Sequence, residues 1–164
     1  MELRPLQTAD ARPILDLRLA NRPYLERTEP DRDDPDARYT IEGIEGWVTR
    51  HDRAFVILDG TALAGTISLF NVTGRPTLSG MVGYWIDQSR AGRGLATAAV
   101  AAILEVAWRD LGLHRVEAGT RADNVASQRV LEKNGFTNVG LLRRHLLIGG
   151  EWVDHLLWEK LEDD

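Results

Sequence analysis

Two short stretches of this chain hold residue types that do chemistry at useful spacing. The first is Ser89–Thr97, Ser-Arg-Ala-Gly-Arg-Gly-Leu-Ala-Thr, lying between the apolar run Met81–Ile86 and the Ala-rich segment Leu95–Leu111. A strand that empties through a glycine-bearing turn into a helix offers several free backbone N–H groups at one point. Those donors, with the positive end of the helix dipole, suit a phosphate. The second stretch is Asn124-Val-Ala-Ser127, followed by Glu132-Lys-Asn-Gly-Phe136. Asn124 and Ser127 are one helical turn apart, so both side chains can face one way. Together the stretches point to a phosphate-bearing cofactor with a polar pair beside it. Each also has a plainer reading: an ordinary strand-to-helix turn at Gly92 and Gly94, and a helix N-cap with a solvated serine at Asn124 and Ser127.

The elements that must position these residues follow from periodicity and turn chemistry. Glu2–Leu6 reads as a short strand, and Thr8 as the N-cap of a helix carrying Asp10 in its first turn and Ile14, Leu15, Leu17 and Leu19 beyond. Asn21–Arg38 holds Pro23, Pro30 and Pro35 with the acidic residues Glu29, Asp31, Asp33, Asp34 and Asp36, so a helix remnant and an irregular loop are expected. A helix resumes over Thr40–Arg53. Ala54–Leu58 and Leu63–Phe70 form a hairpin across Asp59-Gly60, and Leu78–Ile86 a further strand. The helix Leu95–Leu111 stops at Gly112. His114–Thr120 is a strand, Asn124–Asn134 a helix closed by Gly135, and Phe136–Ile148 with Glu151–Leu161 a hairpin around Gly149-Gly150. The order β-α-α-β-β-β-α-β-α-β-β makes an α/β (α+β) protein with a mixed sheet and helices on both faces.

Composition narrows the chemistry. The 164 residues suit one domain, 1–164, with a substantial core. No apolar run approaches 18 residues, so no membrane span is expected, and the polar start Met1-Glu-Leu-Arg-Pro-Leu does not suit a signal peptide. A cytoplasmic location is the expectation. With no cysteine there is no disulfide framework, thiolate zinc site or cysteine nucleophile. His51, His114 and His145 show no ligand spacing, so no metal is expected. The net charge of −5 argues against nucleic acid as a bulk partner.

Gly83-Tyr84-Trp85-Ile86, Gly92-Arg-Gly94-Leu-Ala96-Thr97, Asn124-Val-Ala-Ser127, Gly135-Phe136 and the tail Gly149–His155 occur in an order and spacing that resembles the Gcn5-related N-acetyltransferases (GNAT), within them the RimJ/RimL type. The resemblance covers nearly the whole chain and is strongest over Gly83–Trp158. It implies a mostly antiparallel sheet in which the strand ending at Ile86 splays from His114–Thr120. Acetyl-CoA would enter that gap, its pantetheine arm bonding strand backbone near Trp85 and Ile86. Its pyrophosphate would sit on the turn Ala91, Gly92, Arg93, Gly94, Leu95, Ala96 and Thr97. The family places Gln or Arg where this chain has Ala91. Arg90 and Arg93 are its basic neighbours, and the backbone cradle needs no side chain. The resemblance further implies that Asn124 bonds the pantetheine arm and that Ser127 lies near the sulfur. Many members carry a tyrosine seven residues after this Asn. Here that position is Leu131, and the serine three after the Asn follows the RimL pattern. A serine hydroxyl is a poor acid but can donate a hydrogen bond to a developing thiolate.

The implied reaction is direct acetyl transfer to a primary amine: a protein N-terminus, a polyamine or an amine-bearing small molecule such as an antibiotic. Orientation of two bound reactants supplies much of such a rate. A lysine-like amine of pKa near 10.4 is only about 0.1% neutral at pH 7.4, an α-amine near 7.8 roughly 30%, so the acceptor decides how strong a base is needed. Base candidates are Glu117, on the strand beside the gap, and Asp154 or His155 on the closing hairpin, directly or through water. Glu117 also reads as a paired strand carboxylate, Asp154 as a hairpin fastener, and Tyr84, Trp85, Trp152 and Trp158 as packing aromatics. The acidic loop Glu29–Asp36 reads either as solvated or as a guide for a cationic acceptor. A homodimer is compatible with the resemblance, though no apolar stripe demands one. The alternative function is a non-catalytic acyl-CoA-binding module with a degenerate site. A nucleotide triphosphatase is excluded, because no Gly-Lys-Ser/Thr follows the turn.

Overall fold

The computed structural model describes residues 1–164. Its frame is one seven-stranded sheet in the order β1-β2-β3-β4-β5-β7-β6, with β1 Glu2–Pro5, β2 Ala54–Asp59, β3 Ala62–Thr73, β4 Ser79–Ile86, β5 Arg115–Arg121, β6 Thr137–Ile148 and β7 Glu151–Leu161. All neighbours run antiparallel except β4 and β5. The helices are α1 Ala11–Ala20, the single turn α2 Arg22–Leu25, α3 Ile41–Arg50, α4 Leu95–Glu105 and α5 Val125–Lys133.

The period-2 alternation of the strands sorts residues between two layers. Ile57, Ile67, Leu69, Val82, Val116 and Ala118 face α4 and α5, where Ala99, Val100, Ile103 and Leu131 complete the larger cluster. Val56 faces the other way, onto Ala11, Ile14 and Leu15 of α1 and Ile44 and Val48 of α3. Helices therefore cover both faces, as the order of elements requires. Alanines along α4 let it lie close to the sheet, with Ala99 fully buried.

Several boundaries differ from the sequence reading. Thr8 does not cap α1. It lies in a 3₁₀ turn whose N-cap is Gln7, because Asp10 accepts from the Gln7 amide at 2.8 Å and pairs with Arg4. The β2–β3 turn is Gly60-Thr61, since Asp59 pairs with Ala62. The helix after the glycine turn is α-helical only to Glu105, then widens to a π turn over Val106–Asp110 before Gly112 at φ +58°.

Candidate active site

The parallel pairing of β4 with β5 lasts for three positions only, Ser79–Arg115, Gly80–Val116 and Met81–Glu117. Beyond Met81 the two strands part. The backbone of Val82–Ile86 and Ala118–Arg121 then lines a cleft of about 740 Å³. At the mouth of this split stands the glycine turn. Gly92 and Gly94 have φ of +76° and +79°, where a side chain is strained, and a Cβ at either would meet nothing within 4 Å. Gly94 is the N-cap of α4 and no side chain caps it. The first i→i−4 bond runs from Ala98 N–H to Gly94 O at 3.0 Å, so the amides of Leu95, Ala96 and Thr97 precede the helical ladder. Three amides on the positive end of an eleven-residue helix, whose residues Leu95, Ala96 and Thr97 line the cleft, fit a pyrophosphate.

The turn is fastened on both sides. Asp87 accepts from Ser89 N–H at 3.2 Å and Ser89 Oγ at 2.7 Å. Burial raises the Asp87 carboxyl, but the hydrogen bonds from Ser89 and Asn21 prevail and hold it below its ordinary value. Buried Asn21 donates to Asp87 at 3.1 Å and accepts from Gln88 N–H at 2.8 Å, tying the end of α1 to the turn. Asn134 donates to Thr97 O at 3.2 Å and Val130 O at 2.8 Å, which joins α5 to the first turn of α4. Arg90 and Arg93 both pair with Asp59, at 2.8 and 2.7 Å. Arg90 still lines the cleft with Ala91, whereas Arg93 is turned to the β2–β3 turn and brings only its backbone to the phosphate turn.

Deeper in the cleft, Asn124 Oδ1 accepts from Ser127 N–H at 3.1 Å, a helix N-cap. That bond uses the oxygen and leaves Nδ2–H to donate. Ser127 Oγ meets the Tyr84 phenol at 2.8 Å. Tyr84 reaches from β4, 43 positions away in sequence, and burial pushes its phenol up to about 12 against the opposing effect of the Ser127 bond. Leu131, seven after Asn124, is fully buried in the core. A phenol thus reaches this corner of the cleft from β4 and not from α5. The sequence reads Tyr84 as a packing aromatic, because its partner lies on a distant element.

The structure brings one of the three base candidates to the cleft. His155 lines it, 4% exposed, with Nδ1 3.2 Å from Val153 O. A carbonyl only accepts, so that bond places the proton on Nδ1 and leaves Nε2 as a proton acceptor. Burial lowers the ring's pKa below the ordinary histidine value, partly offset by the Val153 carbonyl. Glu117 sits where β4 and β5 are still paired, opposite Met81, and Arg115 binds its Oε1 at 2.8 Å. It does not line the cleft, which fits the paired-carboxylate reading. Asp154 accepts from the Arg144 amide at 2.7 Å across a bulge in β6, fastening the hairpin. Trp158 packs in the core and donates to Thr120 Oγ1 at 2.9 Å.

Trp85 faces away from Tyr84, toward α1 and α3, beneath the Arg18 guanidinium at 5.6 Å. There a second cavity of about 600 Å³ meets the first, the two sharing Glu29, Pro30 and Arg32 of the loop and Phe70, Asn71, Gly83, Tyr84 and Trp85 of the sheet. No group of three or more His, Cys, Asp or Glu side chains is placed to hold a metal ion, and no helix is long and apolar enough to cross a membrane.

The acetyltransferase (GNAT) domain family matches residues 1–137. The probable N-acetyltransferase YjcK of Bacillus subtilis is 35% identical, over 99% of this chain and 94% of that protein. The structure of Mycobacterium smegmatis RimJ in complex with CoA-disulfide superposes with a TM-score of 0.90 at 37% identity, covering 98% of this chain and 81% of that one. The ribosomal-protein-S5-alanine acetyltransferase of Vibrio fischeri has the same TM-score at 31% identity, over 99% and 93%. On its sequence and its fold alike, this chain belongs to the GNAT family of N-acetyltransferases, with RimJ/RimL-type ribosomal-protein acetyltransferases among its relatives.

Proposed function

We propose that residues 1–164 act as one catalytic domain that transfers the acetyl group of acetyl-CoA directly to a primary amine. The observation that carries this reading is the split between β4 and β5, with free helix amides at its mouth and the Tyr84–Ser127 hydroxyl pair inside. Support comes from RimJ of M. smegmatis, solved with CoA-disulfide. Acetyl-CoA, when bound, supplies an acyl group activated as a thioester. The amides of Leu95–Thr97, with the turn at Ala91–Gly94, hold the pyrophosphate. The free edge of β4 at Trp85 and Ile86 and Asn124 Nδ2 bond the pantetheine arm. Tyr84 stays protonated at neutral pH, so its hydroxyl has a hydrogen to give to Ser127 Oγ. The serine hydrogen is then free to meet the charge that gathers on sulfur. Neutral His155 takes the proton of the attacking amine at Nε2, directly or through one water.

The acceptor is a primary amine, and an α-amine asks least of a buried histidine because so much of it is already neutral. The V. fischeri relative carries ribosomal-protein-S5 alanine in its name. A peptide N-terminus is accordingly the first acceptor class for this chain. The test is a calorimetric titration with CoA, then mass spectrometry of peptides incubated with protein and acetyl-CoA. One acetyl group on the peptide α-amine is the expected product. CoA binding with unmodified amines throughout would turn the reading toward a binding module.

A further inference from the structure

The second cavity, on the α1/α3 side of the sheet, is lined by four guanidinium groups, Arg18, Arg32, Arg38 and Arg50, against the single carboxylate of Glu29. This is a cationic hollow in a chain of net charge −5. Glu29 is fully engaged. Arg18 grips both its oxygens, one at 3.0 Å, and Arg38 adds a third contact at 2.9 Å. Arg32 and Arg50 have no carboxylate within ion-pairing distance, as every ion pair of this region goes to Arg18, Arg22 or Arg38. Burial lowers the Arg38 guanidinium, and the cations of Arg32 and Arg18 push it the same way against Glu29.

The acidic loop does not offset this charge. Asp31 accepts from the amides of Gly149 and Gly150 at 2.9 and 2.8 Å, holding the loop to the β6–β7 turn. Asp34 accepts from Asp36 N–H and Ala37 N–H, and Asp36 pairs with Arg22. None of these carboxylates lines either cavity. The loop's aspartates are therefore fasteners, and Glu29, the one loop carboxylate that lines the cavities, is taken up by Arg18 and Arg38, so none of these carboxylates is left free to guide a cationic acceptor. The cationic hollow opens into the cleft at Gly83–Trp85, on the opposite side of β4 from Ser127. Arg32 lines both spaces and Arg50 the second alone, so an acceptor whose amine lies in the cleft extends its remaining atoms past Arg32 toward Arg50.

We propose that the acceptor is a primary amine bearing an anionic group, a carboxylate or a phosphate, which docks between Arg32 and Arg50. This rests on the acetyl-transfer reading above. Like charges facing across a site are strongly unfavourable, so the same arginines reject polyamines and lysine-rich peptides.

The experiment measures kcat/KM with acetyl-CoA for four acceptors: a peptide with a free N-terminus followed by Asp and Glu, its Lys counterpart, phosphoethanolamine and spermidine. The same four are titrated into the CoA-bound protein and followed by tryptophan fluorescence, two of the five tryptophans, Trp47 and Trp85, lining the hollow. The acidic peptide, phosphoethanolamine or both should exceed the Lys peptide and spermidine by about tenfold or more. Which of the two is used tells carboxylate from phosphate. Arg50→Glu should erase or invert that preference while Arg50→Lys keeps it, and CoA affinity reports that each variant is folded. Equal or better use of spermidine or the Lys peptide overturns the proposal and leaves acetyl transfer standing. If CoA binds and no amine turns over, the acetyl-transfer reading fails. The titrations still decide the charge preference: binding indifferent to acceptor charge, or to Arg50→Glu, overturns it.

Discussion

Ser127 joins the two sides of the cleft, its backbone capped by Asn124 and its hydroxyl against Tyr84. Ser127→Ala should lower kcat roughly tenfold to a hundredfold with little change in the KM for acetyl-CoA, because the lost donor matters only as charge gathers on sulfur. Tyr84→Phe should do the same more weakly, by steady-state kinetics at saturating acceptor. Equal loss in both parameters would instead mean ground-state binding. His155 gives a pH prediction. Its folded pKa lies below its ordinary value of 6.5, so the folded state binds fewer protons between the two. Its share of stability is present above 6.5 and is lost as pH falls through the folded value. Thermal melting from pH 7 to 5 should fall less steeply for His155→Gln than for the parent. Asn124 and Ser127 were legible in the sequence because their spacing is local to one helix. Tyr84 was not, because its partner is set by how α5 crosses β4. The fate of Glu117 also needed three dimensions: strand alternation could not say which part of β5 remains paired with β4.

Two helix N-termini frame the site, and each can be tested by separating fold from function. At Gly94, φ +79° charges any side chain about 1–2 kcal/mol, whereas a carboxylate there also opposes the phosphate. Gly94→Ala should therefore cost stability with moderate loss of CoA affinity, and Gly94→Glu should abolish CoA binding in calorimetry. At α5, Asn124→Asp keeps an oxygen to accept from Ser127 N–H but removes the Nδ2 donor. It should melt within about 0.5 kcal/mol of the parent yet bind CoA several-fold more weakly, while Asn124→Ala loses about 1 kcal/mol as well. Element order and most strand positions could be read from periodicity and turn glycines. The ends of α1 and α4 could not. Asp10 builds its cap back onto Gln7, and the wide turn at Val106–Asp110, closed by Leu111 N–H to Val106 O at 3.2 Å, buries Ala107 fully. Both are tertiary choices that propensity does not encode.

Across the whole molecule, charge is sorted by duty. The acidic residues near position 30 hold the α2–α3 connection in place, and arginines are left to line the acceptor side. Asp31→Ala frees the amides of Gly149 and Gly150 and should cost about 1 kcal/mol, or roughly 2–4 °C in melting temperature. The acceptor KM should rise while CoA affinity stays put. A charge count for this loop is legible in the sequence but not the partners of Asp31, since these lie more than a hundred positions away. The fold's central feature is the parting of β4 from β5 beside a helix that points three free amides into the gap. The measurement that tests its use most directly is release of free CoA from acetyl-CoA with an α-amine peptide, for the parent and for Gly94→Glu. The account predicts amine-dependent release by the parent and none by the variant. Release by both at equal rates, or by neither while the parent binds acetyl-CoA, would contradict it.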